Sequence, residues 1–174
     1  MSLSKFISNY SAYNEWANIE MVNWLKKLDQ KLLYQKTPSS FDSIDSTLQH
    51  VLRVQKFWLA FISEQDITNF NWAVRDNEVE KILEELVIVS GQIKEKFSSF
   101  TEAELLSHLE LDRPWAKTTM SRYEFMIQVV NHTTYHRGQI ITMARNLGIT
   151  EGIMNTDYVF FNVKKQDLKI NENQ

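Results

Sequence analysis

The chain has 174 residues, of which 43% are apolar and 24% charged, and 19 Lys and Arg stand against 22 Asp and Glu for a net charge of -3. This is the composition of a globular protein, and the lack of a basic excess speaks against nucleic acid as a partner, because phosphate backbones select Lys and Arg. Cysteine is absent, which excludes disulfides, cysteine zinc fingers, iron–sulfur clusters and thiol nucleophiles; four Gly and two Pro favour long helices over a turn-rich β fold.

Taken in chain order, the apolar residues predict four long helices. The first spans about 4 to 28, where Phe6, Tyr10, Tyr13, Ala17, Trp24 and Leu28 recur at three- and four-residue steps. A loop follows at 36–40. The second helix spans about 43 to 63, with Val54, Phe57, Trp58 and Phe61 inward, and 65–71 is polar enough for a loop. The third spans about 76 to 97, with Val79, Ile82, Leu83, Leu86, Ile93 and Phe97 inward.

Leu105, Ser107, Leu109 and Leu111 then recur at every second position, interleaved with Leu106, His108 and Glu110. This predicts a short β-hairpin turning at Asp112-Arg113-Pro114 and returning through 117–120, although 101–106 equally suits a helical turn. The fourth helix spans about 122 to 147, opened by a Ser121/Glu124 capping box and closed by Gly148. The apolar stretch 157–161 is expected to pack back on the helices, and polar 164–174 to fray. Together these elements predict an all-α four-helix bundle forming one domain over 1–174. No apolar run approaches the roughly 20 residues of a membrane span and the N-terminus lacks a signal core, so a cytoplasmic protein with no membrane partner is expected.

Candidate chemistry centres on the histidines. His132 and His136 stand four apart on the fourth helix, which stacks them on one face about 6 Å apart along the axis. They continue the stripe of Phe125, Val129, Ile140, Met143 and Leu147, so both rings are expected to face inward. His50 precedes Val54, Phe57 and Phe61 at helical steps and lies on a core stripe too. A buried imidazole needs a hydrogen-bond partner or a metal. Three converging from two helices would hold one divalent ion and leave a coordination position open. His108 falls among polar hairpin residues and reads as a surface side chain. Gly138, inside a helix at a cost of about 1 kcal/mol relative to alanine, suggests close approach of a neighbouring helix.

The run Asn131-His132-Thr133-Thr134-Tyr135-His136-Arg137-Gly138-Gln139-Ile140 resembles the signature of the DinB/YfiT-like family. So do Tyr13-Asn14-Glu15-Trp16-Ala17-Asn18 on the first helix, the stretch around His50 with Phe57-Trp58-Leu59 on the second, and the closing 156–161. The resemblance implies an up-down-down-up bundle, three metal ligands at His50, His132 and His136, and a homodimer. Exposed Trp72 and Trp115 would suit such an interface. It further implies a metal-dependent transferase or hydrolase acting on a small-molecule substrate. With no Cys in the chain, any thiol must come from a low-molecular-weight cosubstrate. The rival reading is a non-catalytic bundle stabilised by metal, serving as a stress-response or partner-binding module. Imidazole suits Zn, Ni, Cu and Fe, with Zn or Ni the first candidates. Gln139, three residues after His136, is expected to line the site or merely pack. Glu15 is expected to be a solvated helix residue, and Arg137 to be structural or to contact an anion.

Overall fold

A computed structural model describes residues 1–72 and 78–171. The first helix, α1 (Leu3–Leu25), is capped by Ser2 and stops three residues short of the expected Leu28. Gln30 explains the stop: its side-chain amide donates to the carbonyls of Leu25 and Leu28, satisfying groups that a continuing helix would have used. Gln30 opens the one-turn helix α2 (Gln30–Leu33), capped by Asp29 and not anticipated from the sequence.

Helix α3 (Ile44–Ile62) starts at the Ser43 cap and buries Val54, Phe57, Trp58 and Phe61 as expected. It ends in a Schellman motif in which Gln65 N–H reaches Ala60 and Glu64 N–H reaches Phe61, with Glu64 at a φ of 56°. Helix α4 (Val79–Ser98) buries all six expected apolar residues; the expected start at Asp76 lies outside the described residues. Residues 101–106 take the helical alternative, as α5 (Glu102–Leu106) with a Thr101/Glu104 capping box. The hairpin is present as β1 (His108–Arg113) and β2 (Ala116–Ser121), antiparallel and joined at Pro114-Trp115, one residue later than the sequence suggested.

Helix α6 (Arg122–Asn146) carries the Ser121/Glu124 capping box, and Gly148 closes it with a φ of 87°. The tail forms a helix, α7 (Tyr158–Asn171), where fraying was expected from Lys164 onward. Phe161 seats that helix against Tyr13, Ala17 and Val130, and Lys164 and Lys165 bind Glu20 and Asn9 of α1.

The chain is mostly helical with one small hairpin. The long helices pack in a ring: α1 against α4 and α6, and α3 against the same two. Arg122, 5% exposed, ties the end of α3 to the start of α6 by donating to the Ile62 carbonyl and pairing with Glu64 at 2.7 Å. This fixes the axial register of the two helices that carry the histidines.

A buried polar chain crosses the ring. Arg137, 2% exposed, donates to Asn18 at 2.9 Å, Thr134 at 2.7 Å, Tyr13 at 3.3 Å and Asn14 at 3.4 Å. Asn18 continues to Ser90, Ser90 to Gln55, and Gln55 to Thr133. Arg137 is thus structural, and its side-chain partners are amides and hydroxyls rather than the acidic group or anion allowed by the sequence. Glu15 pairs with Lys94 at 2.7 Å between α1 and α4 and takes no part in the histidine group.

Gly138 is exposed, and a Cβ built there meets nothing within 4 Å, so the expected close approach is absent. The Gly138→Ala protein should therefore be more stable by up to about 1 kcal/mol, because only the helix-propensity cost of glycine remains. A thermal melt checks this; a loss of stability would reveal a steric constraint on that face.

Candidate metal centre

Helix α3 supplies His50, and α6 supplies His132 and His136 one turn apart. One ring nitrogen from each of the three lies within 4.8 Å of the other two. His132 Nε2 is 3.2 Å from His50 Nε2 and 3.1 Å from His136 Nε2. Two imidazoles bound to one tetrahedral ion at 2.0–2.1 Å hold their nitrogens about 3.3 Å apart, so the group matches the donor set of a single metal. His108 is exposed on β1, away from this group, as expected. Only His136 is fully buried; His50 and His132 are half-buried and open onto a cavity rather than sealed in the core as the sequence suggested.

Gln139 sets the tautomer of His136. The Nδ1–H of His136 donates to Gln139 Oε1 at 2.7 Å, leaving the Nε2 lone pair aimed at the other two rings. The Gln139 amide is itself held by Ser40 at 2.7 Å and by the Tyr135 hydroxyl at 2.8 Å. Phe41 packs against His50 with ring centroids 4.5 Å apart. The Nδ1 of His132 is buried without a hydrogen-bond partner among the described residues. Three neutral rings with converging lone pairs repel one another, and a cation at their centre relieves that repulsion. The residues therefore fit a divalent metal.

Electrostatics agrees. Burial lowers His50 and His132 from the usual imidazole value to about 4, helped by the neighbouring rings. Burial also lowers His136, opposed by its bond to Gln139. All three are neutral at pH 7, the form that ligates metal. Replacing Gln139 with Leu removes the partner that orients His136 and should weaken metal affinity about 10–100-fold, the usual cost of losing a group that positions a ligand. Metal titration followed by calorimetry checks this; unchanged affinity would make Gln139 a packing residue only.

A cavity of about 350 Å³ opens on His50 and His132, walled by Val54, Phe57, Trp58, Trp72, Trp115 and Gln128. The sequence placed Trp72 and Trp115 in loops and read them as interface residues. The structure brings both to the cavity, with Trp72 39% and Trp115 54% exposed. Gln128 was not singled out; it lies four residues before His132 on the same helix face, and that spacing was the available signal.

Fold and site thus define a helical protein with a three-histidine group able to hold a metal. The chain belongs to the DinB family, whose sequence model matches residues 1–168. It is 30% identical over 164 residues to the protein DinB of Bacillus subtilis (strain 168), covering 90% of this chain and 93% of that one. Its fold is similar to the crystal structure of a DinB-like protein from Bacillus cereus ATCC 10987, with a TM-score of 0.64 at 17% identity over 83% of this chain and 92% of that one. It is also similar to the DinB-like protein YjoA of Bacillus subtilis, with a TM-score of 0.62 at 15% identity over 85% of this chain and 96% of that one.

Proposed function

We propose that the protein is a metal-dependent enzyme acting on a small molecule, with His50, His132 and His136 as ligands of one divalent ion, Zn or Ni first among the candidates. The reaction is of the thiol-dependent transferase or hydrolase kind. One observation carries this reading: two members of the three-imidazole set, His50 and His132, face a cavity of substrate size. Structural sites close around their ion with four protein ligands, whereas catalytic sites hold it with three and leave a position facing a cleft. The cavity is also what disfavours the rival reading of a non-catalytic, metal-stabilised bundle.

When bound, the ion would supply a Lewis acid and lower the pKa of a water or thiol presented to it. The chain's own residues have separate tasks. Gln139 holds the His136 proton on Nδ1, burial keeps His50 and His132 neutral, and the aromatic walls limit access of water. Since the chain has no Cys, a reacting thiol enters as cosubstrate. The homodimer implied by the resemblance is part of the same proposal, and light scattering at tens of micromolar checks it, a monomer mass rejecting it.

The enzyme reading is tested with protein reloaded with Zn or Ni and given 2-mercaptoethanol with 1-chloro-2,4-dinitrobenzene, and separately p-nitrophenyl acetate. Turnover above background with one of these classes, lost in the His132→Ala protein, is expected. No turnover in either class by protein carrying stoichiometric metal would leave the non-catalytic bundle as the reading.

No helix among the described residues is long and apolar enough to cross a membrane.

A further inference from the structure

We infer that the cavity over the histidines selects a neutral small molecule with an apolar body. This deepens the enzyme reading and rests on it for one point only, that the polar end of the ligand faces the histidines.

The walls come from three separate parts of the chain: Phe57 and Trp58 from α3, Trp72 from the loop after it, and Trp115 from the hairpin turn. Their planes stand nearly at right angles, Trp115 at 86° to Trp58 and at 87° to Trp72, with centroids 6.1 and 6.4 Å apart. Phe57 lies beneath, 4.9 Å from Trp72 and 5.8 Å from Trp115. Rings in edge-to-face contact of this kind make one continuous apolar wall. The two tryptophans at the mouth are the partly exposed ones, and the remaining aromatic walls are buried. Covering indole surface with an apolar ligand gains about 25 cal/mol per Å² removed from water. At about 350 Å³ the cavity lies at the low end of the range for small-molecule sites.

Charge decides what the body can be. None of the eight lining residues is Asp, Glu, Lys or Arg, and Gln128 is the one amide among them. Among the described residues, the nearby cations Arg53 and Arg113 are already engaged. Arg53 donates to the Trp72 carbonyl at 2.6 Å and to Gln49 at 2.9 Å. Arg113 donates to the Ile67 carbonyl and lies 5.8 Å from the Phe57 ring centre. Aromatic walls alone would welcome a cation. Here a cation would meet the Arg113 charge beside Phe57 and no carboxylate among the described lining residues. An anion would shed its hydration with only neutral donors and no positive charge among the described lining residues, and an uncompensated charge is costly to desolvate. A neutral body escapes both penalties.

The test uses metal-free protein at neutral pH and three probes that share one ring and differ in charge: benzyl alcohol, benzoate and benzylammonium, followed by ligand-observed NMR. Benzyl alcohol should bind at least about tenfold more tightly than either ion, given the desolvation cost of a charge. Trp115→Ala should weaken it several-fold with an unchanged melting temperature, because Trp115 sits on an exposed turn; Trp72→Ala serves as the second variant. Equal binding of the three probes, no binding of benzyl alcohol at millimolar concentration, or full affinity in both tryptophan variants would overturn the assignment. The metal is scored separately on the untreated protein. Selectivity for the neutral probe without metal uptake would remove the metal and keep the cavity assignment. Stoichiometric metal without selectivity would remove only the cavity assignment.

Discussion

Protein reloaded with a divalent ion should melt about 8–16 °C above its metal-free form at pH 8. At a free-metal concentration a thousandfold above Kd, binding to the folded chain alone contributes about 4 kcal/mol, and each kcal/mol moves the melting temperature of a chain this size by about 2–4 °C. The pH dependence is the sharper part of the expectation. Ordinary histidines near pKa 6.5 would let protons displace the metal from about pH 7 downward, as the sequence alone suggests. Burial instead lowers His50 and His132 to about 4 in the folded chain and lowers His136 as well, so proton competition at the folded site is displaced to lower pH than for ordinary histidines. The metal-dependent increment should therefore hold from pH 8 to pH 6 and shrink toward pH 4.

The metal-free protein behaves differently, and the sign follows from linkage. Its folded-state pKa values lie below the unfolded value, so between about 6.5 and 4 the unfolded chain binds more protons. The stability contributed by these neutral rings is present above about pH 6.5 and is lost as pH falls through that window. Melts of verified metal-free and reloaded protein across pH 8 to 4.5 separate the two effects. A metal increment that has already halved between pH 7 and pH 6 would mean that the histidines are solvated like surface residues.

Replacing Arg137 with Ala should destabilise the fold by about 3 kcal/mol or more, through the cavity left by a large side chain and the loss of donors to buried groups. Asn18, Asn14, Tyr13 and Thr134 all lose their guanidinium partner at once. Burial pushes this guanidinium below its ordinary pKa, opposed by Tyr13 and Tyr10, but arginine stays charged in proteins. Its carriage into the core therefore has a desolvation cost of its own. Arg137→Met, which keeps most of the volume and removes the charge, should cost less than Arg137→Ala. Both variants should retain metal, because the guanidinium binds Thr134 and three α1 residues rather than the histidines. Urea unfolding checks the order; an alanine variant within about 1 kcal/mol of wild type would show that the buried chain through Asn18, Ser90 and Gln55 contributes little to stability.

What was legible in the sequence follows from which physical signals are periodic. The inward stripes of α3, α4 and α6 obey the helical repeat, and every apolar residue named for the third helix is buried. His132 and His136 were readable for the same reason, a spacing that stacks two rings on one face. His50 needed its neighbours Val54 and Phe57 to place it on the core side of its helix. The buried polar chain gave no such signal. Asn14, Asn18, Gln55 and Ser90 are polar residues of three different helices, and only the packing of α1 and α3 against α4 brings them together and buries them. The cavity was hidden for another reason. Trp72 and Trp115 lie far apart in a loop and a hairpin turn, and nothing local indicates that both reach the same side of Phe57. The first turn of α7 was expected to pack back and does so through Phe161, whereas the part from Lys164 onward was read as fraying because it looks solvated, yet Lys164 and Lys165 are anchored on α1.

The most direct measurement is the metal content of native protein by mass spectrometry, compared across wild type, His50→Ala, His132→Ala, His136→Ala and His108→Ala. Convergence of His50, His132 and His136 on one point requires one divalent ion per chain in wild type and in the His108 variant, and a sharp loss in each of the other three. Full stoichiometry in His132→Ala, the ring whose Nε2 lies within 3.2 Å of both others, would contradict the three-histidine metal site.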